Sequence, residues 1–443
     1  MPPTYDLLIR NATVVNHAGE FKADIAALGG RTAAIGDLRG ASAAAEIDAA
    51  GLHVLPGVVD TQVHFREPGN EHKEDLASGS LSAVMGGVTA VFEMPNTKPT
   101  TTTAGALADK VARATGRMWC DFAFYVGAAA SNVDELAALE AMPGCCGVKV
   151  FMGSSTGDLL VSDDAALEAV LRSGRRRVAI HAEDEERLKA RKSLTDSGDV
   201  AQHPHWRDEE TARRATERIL AMARRTRRPI HVLHVTTAEE VPLLAAHKDI
   251  ASMEVTPQHL SLTAPECYQK LGTFAQMNPP IRDARHRDAL WQAVAQGIAD
   301  VIGSDHAPHT REEKAKGYPA SPSGMPGVQT LLPLMLHHVN EGRLSLQRLV
   351  DMTSAGAQRL FGMRAKGRLA VGYDADYTVV DLKKSWIIEE NWLKSRCGWS
   401  PFTGMKITGK PVGTIIRGHR VMWEDEVLGA PQGSAIRFDG CCV

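Results

Sequence analysis

The chain has 443 residues, 44% of them hydrophobic and 23% charged, with a formal net charge of −3. That length suits one large domain with a smaller companion, or two to three domains, and the near-balance of charge excludes an obvious nucleic-acid or membrane-surface partner. No stretch approaches the ~20 consecutive apolar residues of a membrane span. The opening residues, MPPTYDLLIRN, lack the basic and apolar regions of a signal peptide. Seven cysteines, an odd number, include the adjacent pairs Cys145–Cys146 and Cys441–Cys442 and form no CxxC. A disulfide framework and a cysteine zinc site are therefore not expected, and a reducing cytoplasm is the expected location.

Residues 1–52 carry short alternating strands with turn punctuation, as in DLLIRNATVVN and ADIAALGGRTAAIGD. From 53 to 366 a different unit repeats. Apolar runs at 54–65, 87–96, 120–128, 147–153, 176–184, 229–236, 250–259 and 299–309 alternate with helix-like segments. Asn132 with Glu135, and Thr237 with Glu240, have the spacing of capping boxes at two of those helices. Strands alternating with helices imply a parallel sheet, and eight such units in a domain of roughly 250 residues suit a closed (β/α)₈ barrel. Residues 367–425 return to short strands, GRLAVGYDADYTVVDL and VGTIIRGHRVMWED. Neither end has enough strands to bury a core alone, so one composite β-sandwich built from both ends is predicted. Residues 426–443 are expected to form a loosely held tail.

In a (β/α)₈ barrel the reactive groups lie at the C-terminal ends of the strands. The first run places Gln62, His64 and Arg66 at every second position, hence on one face. Asn96 ends the second run, and Lys149 lies in the fourth. His181 ends the fifth; His231 and His234 lie in the sixth, His259 in the seventh, and Asp305, His306 and His309 in the eighth. Any one of these alone is compatible with a hydrogen-bonded structural side chain, and Lys149 with an edge lysine reaching for water. Jointly they converge on one point, and imidazole with carboxylate suits zinc or a similar divalent ion.

Seven segments carry a family resemblance: QVHFREPG (62–69), EMPNTKP (93–99), GVKVFMGSSTG (147–157), HAED (181–184), HVLHVT (231–236), MNPPIR (277–282) and SDHAPH (304–309). With them, the whole chain resembles the amidohydrolase superfamily and, within it, the dihydroorotases of pyrimidine biosynthesis. The resemblance implies a zinc centre of one or two ions, one held by His64 and Asp305 and the other by His181 and His234. A carboxylated Lys149 would bridge them, since added CO₂ turns its nitrogen into a carbamate with two anionic oxygens. The resemblance further implies that Arg66, Asn96 and Asn278 bind a substrate carboxylate, that His309 is another substrate contact, and that the loop SPSGMPG (321–327), around Gly324, offers backbone groups to a pyrimidine ring. The implied reaction is reversible hydrolysis of (S)-dihydroorotate to N-carbamoyl-L-aspartate by metal-activated hydroxide, with Asp305 as general acid and base. A homo-oligomer is expected, with aspartate transcarbamoylase as a candidate partner.

One position departs from the family pattern. Gln62 stands where the first histidine of a His-x-His pair is usual, and a neutral amide oxygen is a weaker ligand that suits harder metals. The first ion would then be held loosely, if at all, by Gln62. Because Lys149, Asp305 and Arg66 are all present, the expectation is an active enzyme. The alternatives are an allantoinase or a hydantoinase-type cyclic amidase, a catalytically silent dihydroorotase-like subunit that scaffolds aspartate transcarbamoylase, and a non-enzymatic binding protein.

Overall fold

The computed structural model describes residues 4–16, 19–153 and 159–439. The SSTG end of the fourth-run motif and the pair Cys441–Cys442 lie outside the described residues. Eight parallel strands follow one another in chain order around a single sheet: Val58–Val63, Val88–Glu93, Asp121–Gly127, Cys145–Phe151, Val178–His181, Ile230–Val232, Ala251–Val255 and Val301–Ile302. The first and last are joined where Val63 pairs in parallel with His306 and the His64 N–H donates to the His306 carbonyl at 2.7 Å. The result is a (β/α)₈ barrel. Every residue of these eight strands is buried, as parallel strands covered on both faces must be.

The helices pack against the barrel, some through one apolar stripe and others, such as Leu331–Asn340, buried on nearly every side. Helix Glu209–Thr226 is started by the Asp208 carboxylate, which accepts the Thr211 N–H at 3.0 Å, and it buries Ala212, Ala215, Ile219 and Ala223 at three- and four-residue spacing. Its acidic first turn and basic last turn both complement the helix dipole. At Thr237 and Glu240 the reciprocal bonds of a capping box are formed, at 3.1 and 3.2 Å. Asn132 does not cap a helix. It is buried, and its amide bonds the Gly127 and Thr102 carbonyls and the Ala129 N–H, because the loop leaving the third strand needs those groups satisfied more than the exposed turn at 133–135 needs a cap.

Both chain ends meet in one nine-stranded sheet. The N-terminal strands are Thr4–Asn16, Gly19–Leu28, Arg31–Gly36, Ser42–Asp48 and His53–Pro56; the C-terminal ones are Tyr377–Ile387, Lys406–Ile416, His419–Trp423 and Glu426–Val427. His53–Pro56 is the seam, parallel to Thr4–Asn16 and antiparallel to Tyr377–Ile387. The apolar run 54–65 is therefore two strands that break at Gly57, where a Cβ would come within 2.3 Å of Thr89 Oγ1. The sheet encloses its own core, with Ile9, Val14, Ile25, Val54, Tyr377 and Ile415.

The loosely held tail is not what the described part of it forms. Residues 433–438 dock beneath the N-terminal end of the barrel: the Gly433 N–H donates to the Met118 carbonyl, the Phe122 N–H to the Ser434 carbonyl and the Ile436 N–H to the Phe122 carbonyl. Ile436 is buried among Val59, Phe92 and Phe361, so hydrophobic burial fixes a segment whose composition alone looked like a linker.

Candidate active site

Three of the nine non-glycine residues with positive φ among the described residues are Arg66 (64°), His234 (36°) and Asp305 (44°). Each follows the C-terminal end of a barrel strand. Such backbone persists only where surrounding structure holds it, and here it turns each chain sharply so that its side chain enters the barrel mouth.

Around Asp305 the polar groups meet in an unusual way. Its Oδ1 accepts from Gln62 Nε2 at 2.9 Å and lies 3.1 Å from His64 Nε2. His64 Nδ1 is 2.7 Å from Asn96 Oδ1, which can only accept, so Nδ1 carries the hydrogen. Burial pushes the His64 pKa down and favours the neutral ring. The Nε2 lone pair then faces a carboxylate oxygen, an arrangement that calls for a cation between them. Gln62 Oε1 is buried with no partner.

A second set lies beside it. Burial alone would raise the Glu183 pKa, but Arg207 and His181 overcome it and hold the carboxyl at about 2. That carboxylate accepts the His181 Nε2 hydrogen at 2.7 Å, which leaves the Nδ1 lone pair aimed at His234 Nε2, 3.1 Å away. His234 Nδ1 is buried and unpartnered. Lys149 Nζ also has no hydrogen-bond partner and sits 4.4 Å from the centre of the Phe151 ring. Burial lowers the Lys149 pKa to about 7. Among the described residues no three His, Cys, Asp or Glu side chains surround a common point. Each set contributes two such side chains, His64 with Asp305 and His181 with His234, and is completed by another residue, Gln62 or Lys149. Unpartnered nitrogens, a free amide oxygen and a lone pair facing a carboxylate are donors that fit a divalent ion.

The far wall is cationic. Arg66 is 9% exposed; its Nε donates to the Pro308 carbonyl at 3.1 Å, and its Nη2 lies 3.2 Å from His309 Nε2. Among the described residues it has no carboxylate in ion-pair contact, and Glu67 turns away to Arg117. Asn278 Oδ1 lies 2.9 Å from His203 Nε2, which turns its NH₂ outward as His64 does for Asn96. Gly324 has φ 136°, and a Cβ there would meet the Ala307 carbonyl at 2.5 Å. Its N–H is already bonded to the Gln276 carbonyl at 2.9 Å, so of its two backbone groups only the carbonyl is left for a ligand.

The other histidines have structural partners. His231 lies between Ser252 (2.7 Å) and Glu254 (3.4 Å), His259 bonds Thr256 and the Pro279 carbonyl, and His306 Nδ1 accepts the Gly327 N–H. Sequence reasoning missed Glu183 and Arg207. Glu183 carried a signal, two residues past His181 in HAED; Arg207 carried none.

The model of the amidohydrolase family matches residues 53–421, most of the chain. The chain belongs to the amidohydrolase family. Among curated members it is 39% identical to the dihydroorotase of Halobacterium salinarum over 88% of this chain and 90% of that one. To the dihydroorotase of Methanosarcina mazei it is 34% identical over 98% of both chains. Among solved structures, the L-hydantoinase (dihydropyrimidinase) of Arthrobacter aurescens superposes with a TM-score of 0.93 at 32% identity, covering 98% of this chain and 99% of that one.

Proposed function

We propose that this amidohydrolase is a dihydroorotase, opening the six-membered cyclic amide of (S)-dihydroorotate to N-carbamoyl-L-aspartate and closing it in the biosynthetic direction. The observation that carries the reading is Arg66: a buried guanidinium with no carboxylate in ion-pair contact, only the longer-range charges of Asp305, Glu93 and Glu313, is costly unless the substrate brings the anion. The amide hydrogens of Asn96 and Asn278, freed by their imidazole neighbours, serve the same carboxylate. His309 and the Gly324 carbonyl flank the ring.

Asp305 takes the proton of the attacking water and delivers it to the ring nitrogen as the amide C–N bond breaks and the new C–O bond forms. His181, His234 and a carboxylated Lys149 would hold a divalent ion, zinc in this reading, which when bound would supply a Lewis acid for the carbonyl and a bound water of lowered pKa. His64, Asp305 and the Gln62 amide oxygen would hold a second ion more loosely. Lys149 suits carboxylation because, near neutrality, a large part of it is free amine, the form that adds CO₂ with loss of a proton. A role in cytoplasmic pyrimidine synthesis, as a homo-oligomer or with aspartate transcarbamoylase, belongs to the same reading.

A hydantoinase-type activity is the second reading, favoured by the close fold match to the L-hydantoinase. The test is direct: purified protein is assayed on dihydroorotate and on a 5-substituted hydantoin. Ring opening of dihydroorotate at the higher kcat/KM supports the proposal; turnover of the hydantoin alone overturns it.

A further inference from the structure

Lys73 was not among the residues singled out by the sequence, and the residue roles proposed above do not use it. It lies seven positions past Arg66, yet it folds back over the same pocket. The left-handed Arg66 starts the turn, its carbonyl accepts the Asn70 N–H at 3.1 Å, and the Asn70 carbonyl accepts the Lys73 N–H at 2.9 Å. The Lys73 ammonium then stands 3.0 Å from His309 Nδ1 and 3.0 Å from Glu313 Oε1. Glu313 comes from the one-turn helix Arg311–Lys314, fixed by its capping box with Thr310. The next residue, Lys314, donates to the Gln276 and Pro322 carbonyls and so supports the loop that carries Ser323 and Gly324.

An ion pair at a pocket rim is worth little by itself. The third contact gives this one a consequence. An ammonium only donates, so Lys73 needs a lone pair on His309 Nδ1, and the ring hydrogen must then be on Nε2. There it finds the Ser323 carbonyl at 3.0 Å. The Nε2–H cannot also accept from Arg66 Nη2, although that nitrogen is 3.2 Å away. In the opposite tautomer Nε2 would accept from Arg66 and occupy it, while Nδ1–H would face the ammonium and the Nε2 lone pair would face the Ser323 oxygen. The first tautomer makes two bonds against one donor–donor contact, at Arg66, and the second makes one bond against two repulsive contacts, since Glu313 Oε2, 3.7 Å from Nδ1, is too far to bond it.

We propose that Lys73 is a positioning residue for substrate selection: tethered by Glu313, it holds His309 in the Nε2–H tautomer and thereby keeps the Arg66 Nη2 edge free for an anionic group of the substrate. The substrate class it selects is a cyclic amide bearing a carboxylate, and the inference rests on the dihydroorotase reading for the identity of that substrate but not for the tautomer.

The experiment has two arms. In the first, ¹⁵N-histidine NMR of the whole protein, with His309 assigned from the His309→Gln spectrum, should show a protonated Nε2 and an unprotonated Nδ1 in the wild type. In Lys73→Met the same resonances should move toward a mixture of tautomers. In the second arm, Lys73→Met should raise KM for dihydroorotate about tenfold, the scale of one charge-assisted hydrogen bond. The loss should fall in KM rather than kcat, and Lys73→Arg should recover part of it. Calorimetric Kd for orotate, a planar carboxylate-bearing analogue, should weaken in parallel. If Lys73→Met does not fold, Glu313→Gln, which loosens the same ammonium, should move both readouts the same way by less. An unchanged tautomer, or a KM no different from that of the wild type, overturns the inference. A wild type that ignores dihydroorotate overturns the dihydroorotase reading instead, and the tautomer measurement still judges Lys73.

Discussion

Most polar side chains at the barrel mouth have one end tied to the protein and the other turned inward. His64 is tied by Asn96, His181 by Glu183, and Asp305 by Gln62, so the inward ends are the atoms available for chemistry. If Asp305 moves the proton, Asp305→Asn should lose ~10²–10⁴-fold in kcat while melting near the wild-type temperature; a rate above a tenth of wild type would place the shuttle elsewhere. Gln62→His should tighten the looser ion, measured as metal per chain surviving exhaustive dialysis, while Lys149→Ala should lose more metal than any single-ligand change. Because burial brings Lys149 to about 7, the free amine that adds CO₂ grows as pH rises through that value. Reloading of chelated protein with zinc and bicarbonate, followed by metal analysis, should therefore be more complete at pH 8 than at pH 6. Equal loading would show that Lys149 needs no carboxylation.

At the scale of elements, the barrel strands are short and wholly buried, and their function begins where they stop. Left-handed residues end three of them, and a one-turn helix after the eighth strand supplies both Glu313 and Lys314. The tail segment 433–438 does the opposite task, closing the N-terminal end with Ile436 and Phe438 against Phe92 and Phe361. Ile436→Ala leaves a cavity there and should cost ~2–4 kcal/mol in urea unfolding, with little change in kcat because the proposed catalytic groups lie at the other end of the strands. A loss below ~0.5 kcal/mol, the size of an ordinary surface change, would mean the segment is docked but not load-sharing.

For the whole molecule, one buried cation joins the two sheets. Lys366 pairs with Asp121, which opens the third barrel strand, and with Asp374 (3.1 Å) and Asp376 (2.5 Å), which lead into the small sheet. Burial would lower its pKa, but the three carboxylates raise it well above the ordinary lysine range. With the folded value raised, its stabilisation is fully present below the ordinary lysine pKa and is lost only as pH climbs through the folded one. Lys366→Met leaves buried carboxylates uncompensated and should cost ~3–5 kcal/mol at neutral pH, seen as a lower melting temperature. An unchanged melting temperature would show that Arg417, the other cation on Asp121, is sufficient alone.

The repeating βα unit, the two strand-rich ends and the placement of His64, His181, His234 and Asp305 at strand ends, with Lys149 inside the fourth strand, were legible in the sequence, because side-chain periodicity and turn chemistry are local properties. The break at Gly57 was not legible, since the residues on both sides are equally apolar and only the closeness of Thr89 and Asp376 requires a glycine there. Nor was the docked tail, whose binding surface is assembled from strands far away in the chain. The same holds for the pairing of Lys73 with His309, 236 positions apart. Which nitrogen of a histidine is free, and whether an arginine has a counter-ion, depend on groups brought within about 3 Å by folding, the range over which hydrogen bonds act, so neither can be read before the chain is folded.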